Sequence, residues 1–132
     1  MIAFVDTSAV YAVLDRDDKN HPASLAIWKR LLEGDAILVT SNYVLVETCA
    51  LVQHRLGLEA IRAFQQQIAP VLTIEWISPA QHDSAVAAVL AASRKNLSLV
   101  DCVSFAVMRQ AGIRGAFAFD SHFVEQGFDC GL

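Results

Sequence analysis

The chain has 132 residues, 55% of them hydrophobic and 18% charged, with a formal net charge of −4 at pH 7. One domain spanning residues 1–132, with a sizeable core, fits that length, and the acidic balance argues against a broad basic face of the usual nucleic-acid-binding kind. The longest uncharged apolar run, Ala85 to Ala92, is well short of the roughly 18 residues of a membrane span, and no basic region precedes the N-terminal apolar run, so the sequence predicts a cytoplasmic protein without a secretory signal.

In chain order, Ile2–Val5 reads as a short buried strand that runs straight into Asp6, Thr7 and Ser8. The polar insertion Asp15–Pro22 (DRDDKNHP) is a predicted loop at the rim of a site. Ala23–Leu32 carries Leu25, Trp28, Leu31 and Leu32 at helical spacing, with Gly34 as a stop. Ala36–Val39 is the second predicted strand. Helices over Tyr43–Leu56, ended near Gly57, and Leu58–Ile68, before Pro70, lead to a third strand at Leu72–Ile77. Ser78-Pro79-Ala80-Gln81 is a helix start with a capping box, and that helix is predicted to reach about Arg94 with a basic last turn. Ser98 caps a final long helix, Leu99–Ala111, closed by Gly112, and Ala116–Phe119 forms the last strand before Asp120. Short strands separated by helices require crossover connections. The predicted fold is therefore an α/β/α sandwich with a mainly parallel central sheet.

Ligands collect at the carboxyl ends of strands in such sheets, and Asp6 and Asp120 each end an apolar strand there. The alternative for both is a helix N-cap. Glu47 falls on a helical stripe with Tyr43, Ala50 and Leu51; a buried ion pair with Arg55 or Arg62 is its alternative. Asp101 is the only charge between Leu99 and Met108, and its alternative is the capping box with Ser98.

If the four acids meet, each pair of unit charges about 4 Å apart costs roughly 4 kcal/mol at an effective dielectric near 20. Several such pairs rival a domain's stability of about 5–15 kcal/mol. Proton uptake, basic partners or divalent cations must then compensate. An all-oxygen set favours Mg²⁺ or Mn²⁺ over zinc, and such ions support hydrolysis of a phosphodiester by metal-activated water. His21, His54, His82 and His122 show no Ser–His–Asp order or metal-ligand spacing and are read as surface or packing residues. Cys49, Cys102 and Cys130 are odd in number without a CxxC pair and are read as small core residues. Trp28 and Trp76 are read as core or interface aromatics.

With these residues in place, the sequence resembles the PIN-domain family of metal-dependent ribonucleases, in particular the VapC-type toxins of toxin–antitoxin pairs. The likeness is carried by FVDTSAVYAVLDRDDKNHPAS, SNYVLVET, LSLVDCVSFAVM and FAFDSHF. It implies an endoribonuclease that uses Mg²⁺ or Mn²⁺, forms homodimers and is inhibited by a small antitoxin protein. By position, Asp6, Glu47, Asp101 and Asp120 match the family's catalytic and metal-binding acids, with Thr7 or Ser8 as the supporting hydroxyl. Arg16, Lys19, Arg94 and Lys95 are candidate contacts to RNA phosphates. Many relatives carry a threonine two places before the last acid, where this chain has Ala118. Two other functions compete. An aspartyl-nucleophile phosphatase would want a second Asp where Ser8 stands, and a non-catalytic PIN-like binding module would not need all four acids.

Overall fold

Ile2–Val5 (β1) is enclosed along most of its length: Ala3, Phe4 and Val5 have no exposed surface. In the computed structural model, which describes residues 1–132, it pairs with Ile37–Ser41 (β2) on one side and Gly115–Phe117 (β4) on the other, while Leu72–Glu75 (β3) adds to β2. The order is β3-β2-β1-β4 and every pairing is parallel, with Phe4 opposite Val39 and Ala116. Because successive strand residues face opposite ways, β1 serves two cores. Phe4 packs with Val103, Phe105, Met108 and Phe123 on one face; Ala3 and Val5 pack with Val10, Trp28, Leu31 and Phe64 on the other.

The helices divide accordingly. Thr7–Leu14 (α1) and His21–Glu33 (α2) cover the second face, together with a π-helical turn, Phe64–Ile68, that extends Leu58–Ala63 (α4). Pro79–Ala92 (α5), Leu99–Ala111 (α6) and Ser121–Glu125 (α7) cover the first. Asn42–Leu56 (α3) reaches between the layers, packing on α1 and α4 and also on α6. The architecture is the three-layer α/β/α sandwich around a parallel sheet that the alternation of elements implies.

Several local features differ from the sequence reading. The helix α1 was not anticipated, because Thr7, Ala9, Val10, Tyr11 and Ala12 are all buried and no polar face marks its period. The five-residue α7 was too short to register. The helix α5 ends at Ala92, since Ser93 turns into the left-handed region at φ 52°. Arg94 and Lys95 therefore lie beyond it, and its last turn is not basic. Leu58–Ile68 is not one α-helix but α4 followed by the π turn. The buried stripe of α3 is Val44, Thr48 and Val52, one residue away from the expected stripe, and Ala50 is exposed. Trp28 stacks on Phe117 with ring centroids 6.3 Å apart, whereas Trp76 is 72% exposed and outside the core. The Asp15–Pro22 loop is shorter than expected, because His21 and Pro22 already begin α2. No helix is long and apolar enough to cross a membrane.

Candidate metal centre

The sheet has its topological switch point at β1: the chain goes from β1 to β2 and then β3 on one side, and returns to β4 on the other. The carboxyl ends of strands at such a point open a crevice. The β1–β4 pairing extends one step past the strand, since the Asp6 amide donates to the Phe117 carbonyl at 3.0 Å. Asp6 stands at that edge, and Asp120 follows β4 after Ala118 and Phe119.

Both acids are helix caps as well. Asp6 Oδ2 accepts from the Ser8 amide at 3.1 Å and from Ser8 Oγ at 2.6 Å. Asp120 Oδ1 accepts from the His122 amide at 2.9 Å. Ser8 Oγ in turn accepts from the Phe119 amide at 2.9 Å, so one hydroxyl ties the first carboxylate to the segment that carries the last. A carboxylate has about four lone-pair sites and a cap uses only some of them; capping and a place in the crevice are compatible.

Asp101 enters from α6, where it is 7% exposed. Its capping box with Ser98 is complete: the Ser98 amide donates to Asp101 Oδ2 at 3.1 Å, and the Asp101 amide donates to Ser98 Oγ at 3.0 Å. Ser98→Ala is expected to lower stability by about 1 kcal/mol, read from urea unfolding, with Ser98→Asn restoring most of it. Glu47 is half-buried on α3, beside Thr48, whose hydroxyl lies 3.0 Å from that of Thr7. Neither arginine proposed for Glu47 pairs with it. Arg55 lies over the Tyr11 ring at 5.4 Å, and Arg62 pairs with Glu59 at 3.4 Å.

Burial, opposed by the two Ser8 hydrogen bonds and reinforced by the charges of Glu47 and Asp101, pushes the Asp6 carboxyl up to about 6. Burial also raises Glu47 against the pull of the Thr7 hydroxyl, with Asp101 and Asp120 adding to the rise. Asp101 is raised chiefly by burial and further by Asp120, while its Ser98 bonds and His122 hold it back. The acids thus sense one another across α1, α3, α6 and the segment after β4. No lysine or arginine forms an ion pair with any of them.

The tightest grouping includes a residue that the sequence pattern left among surface and packing positions. One ligand atom each from Asp101, Asp120 and His122 lie within 4.8 Å of one another. His122 is set there because Asp120 caps its amide two positions on; the signal available in the sequence was Asp120-Ser121-His122 at a helix start. His21 and His82 do play packing roles, through the Ala12 carbonyl and the Tyr43 hydroxyl, and His54 is exposed. Arg16 and Lys19 are exposed beyond the far end of α1 from Asp6. Arg94 is held by Glu125 at 3.2 Å, and Lys95 is exposed. The cysteines are all free, Cys102 buried and the other two partly so.

Hard oxygen donors, with the carboxyls of Asp6, Glu47 and Asp101 raised, no lysine or arginine among them and a buried imidazole nitrogen beside Asp101 and Asp120 are a donor set that suits a divalent cation. A parallel sheet between helical layers with such a crevice at its carboxyl edge is the PIN domain arrangement. The chain belongs to the PIN domain family, matching it over residues 3–129. It is 33% identical over 126 residues to the 23S rRNA-specific endonuclease VapC20, found under that name in two strains of Mycobacterium tuberculosis; the match covers 95% of this chain and 94% of VapC20. The crystal structure of M. tuberculosis VapC20, a sarcin–ricin loop cleaving toxin, superposes with a TM-score of 0.82 at 34% identity, covering 98% of this chain and 97% of that one.

Proposed function

We propose that residues 1–132 form one nuclease domain that hydrolyses RNA phosphodiesters with Mg²⁺ or Mn²⁺, as the toxin of a toxin–antitoxin pair in the cytoplasm. Three observations support this reading: Asp101 and Asp120 lie together with His122, Asp6 and Glu47 feel the charge of the other acids, and no lysine or arginine pairs with any of the four. VapC20, an rRNA endonuclease similar over nearly the whole chain, supports the choice of RNA.

A divalent cation bound there supplies Lewis acidity and positive charge for water attack on the phosphodiester. The chain's own part is preorganisation. Ser8 and Ser98 pin Asp6 and Asp101, and the His122 amide pins Asp120, so the carboxylates are fixed before any ligand arrives. The Thr7–Thr48 pair braces α1 against α3, beside Glu47. Lys95, exposed shortly before α6, is the candidate contact to RNA phosphates, whereas Arg16 and Lys19 lie beyond the far end of α1 from Asp6 and Arg94 is engaged by Glu125. A homodimer and a small antitoxin partner belong to the same reading, the antitoxin supported by the similarity to a toxin. The phosphatase alternative is weakened by Ser8, whose hydroxyl is committed to Asp6 and Phe119 where a second acid would be wanted.

The test is incubation of the purified protein with structured and single-stranded RNA in Mg²⁺ or Mn²⁺, with and without chelator, beside a small aryl phosphate. Chelator-sensitive RNA cleavage is expected. Phosphate release from the small ester alone transfers the site to the phosphatase reading, and an inert protein with bound metal leaves a binding module.

A further inference from the structure

His122 is 9% exposed, and its Nδ1 lies 2.7 Å from Asp120 Oδ1 and 3.7 Å from Asp101 Oδ2. Neither approach has the alignment of a hydrogen bond, so this buried nitrogen has no hydrogen-bond partner. A buried polar atom without a partner is costly and calls for an occupant. The same nitrogen is aimed at two carboxylates with which no lysine or arginine pairs.

Neighbouring donors about 2.1 Å from an octahedral ion sit about 3 Å apart, and the spacing of Nδ1 from the two carboxylate oxygens suits donors sharing one ion. We propose that His122 Nδ1 is a direct nitrogen ligand beside Asp101 and Asp120, and that it biases the centre toward Mn²⁺ and later first-row ions over Mg²⁺. This rests on the metal-dependent reading of the site, but goes beyond an all-carboxylate centre. The chemical ground is that imidazole is a softer donor than carboxylate, and affinity for nitrogen-containing sites rises from Mn²⁺ through Co²⁺, whereas Mg²⁺ strongly favours oxygen and retains its waters. The position of His122 is set by the Asp120 cap, so the ligand is placed by local backbone structure rather than by a long flexible reach.

The direct readout is electron spin echo modulation of the full chain loaded with Mn²⁺, which detects a nitrogen bound to the ion. A ¹⁴N coupling is expected, and His122→Asn removes it because the amide offers an oxygen in place of the imidazole. Calorimetric titration with Mn²⁺, Co²⁺ and Mg²⁺ is expected to show the Mn²⁺-to-Mg²⁺ affinity ratio falling by about tenfold or more in the variant, in the range typical of altered metal surroundings. Absence of nitrogen coupling in the unsubstituted protein overturns the inference, and that measurement requires no variant to fold. Coupling that survives in His122→Asn, or an unchanged affinity ratio in a variant with normal circular dichroism, overturns it as well. Cleavage is scored separately. Nitrogen-coupled Mn²⁺ in a protein inert toward RNA supports the ligand assignment while removing the nuclease proposal, and RNA cleavage without nitrogen coupling does the reverse.

Discussion

Asp6→Asn is expected to reduce RNA cleavage on the order of a thousandfold while making the metal-free protein harder to unfold. The first effect follows from the place of Asp6 at the head of the crevice, where its carboxylate contributes charge that a neutral amide cannot, and losses of this size accompany removal of a single preorganised electrostatic group in other enzymes. The second follows from the burial of Asp6, which disfavours the ionised form and pushes its carboxyl up to about 6. Its ordinary value is 3.8, and the difference corresponds to about 3 kcal/mol of penalty at neutral pH. Asn keeps a good helix cap, since its side-chain oxygen also accepts from the Ser8 amide, and removes the buried charge. The measurements are a cleavage time course and urea unfolding in chelator. Full cleavage by the variant removes Asp6 from the chemistry. Lower metal-free stability would mean that Asp6 contributes more as a cap than it costs as a buried charge.

That opposition of stability and activity explains what was legible in the sequence. The acids were visible because they stand where local rules want something else. Asp101 is the lone charge in an otherwise apolar helix, and Asp6 cuts short a buried strand. Such conflicts arise when a tertiary environment, here a shared crevice, outweighs local preference. Glu47 was found through a stripe that the structure places one residue away, on Val44, Thr48 and Val52. The residue stood out, but its helix face did not. The strand order was not legible, because the crossover lengths are similar whichever neighbour a strand takes, and β1 becomes central only when β4 pairs on its free side. The helix α1 is hidden because burial on most sides and the lack of a polar face erase the period that reveals a helix. His122 was missed for a different reason. Its importance comes from Asp101, brought close by folding, and from the cap of Asp120, and neither leaves a mark on the spacing of histidines.

The metal-free protein is expected to be more stable at pH 5.5 than at pH 7.5, the reverse of a domain whose carboxylates are held in salt bridges. For Asp6 the folded pKa, about 6, lies above the unfolded 3.8, so the folded state binds the extra proton between those values. Stability from this group is therefore greatest below pH 3.8, falls as pH rises from there through about 6 and levels off at the full penalty of about 3 kcal/mol, of which about 1 kcal/mol is lost between the two test pH values. Glu47 and Asp101 are raised in the same direction, so they add to the slope rather than cancel it. A divalent ion competes with those protons for the same oxygens, so added Mn²⁺ should stabilise the protein more at pH 7.5 than at pH 5.5, and binding should release protons. Melting curves at the two pH values, with chelator and with Mn²⁺, give four numbers that decide the matter. The pH difference should shrink in Asp6→Asn and in saturating metal alike, because both remove the same uncompensated charge. A metal-free protein that gains stability on going from pH 5.5 to 7.5 would show that the carboxylates find positive partners in solution, and the crevice would then have no need of a cation.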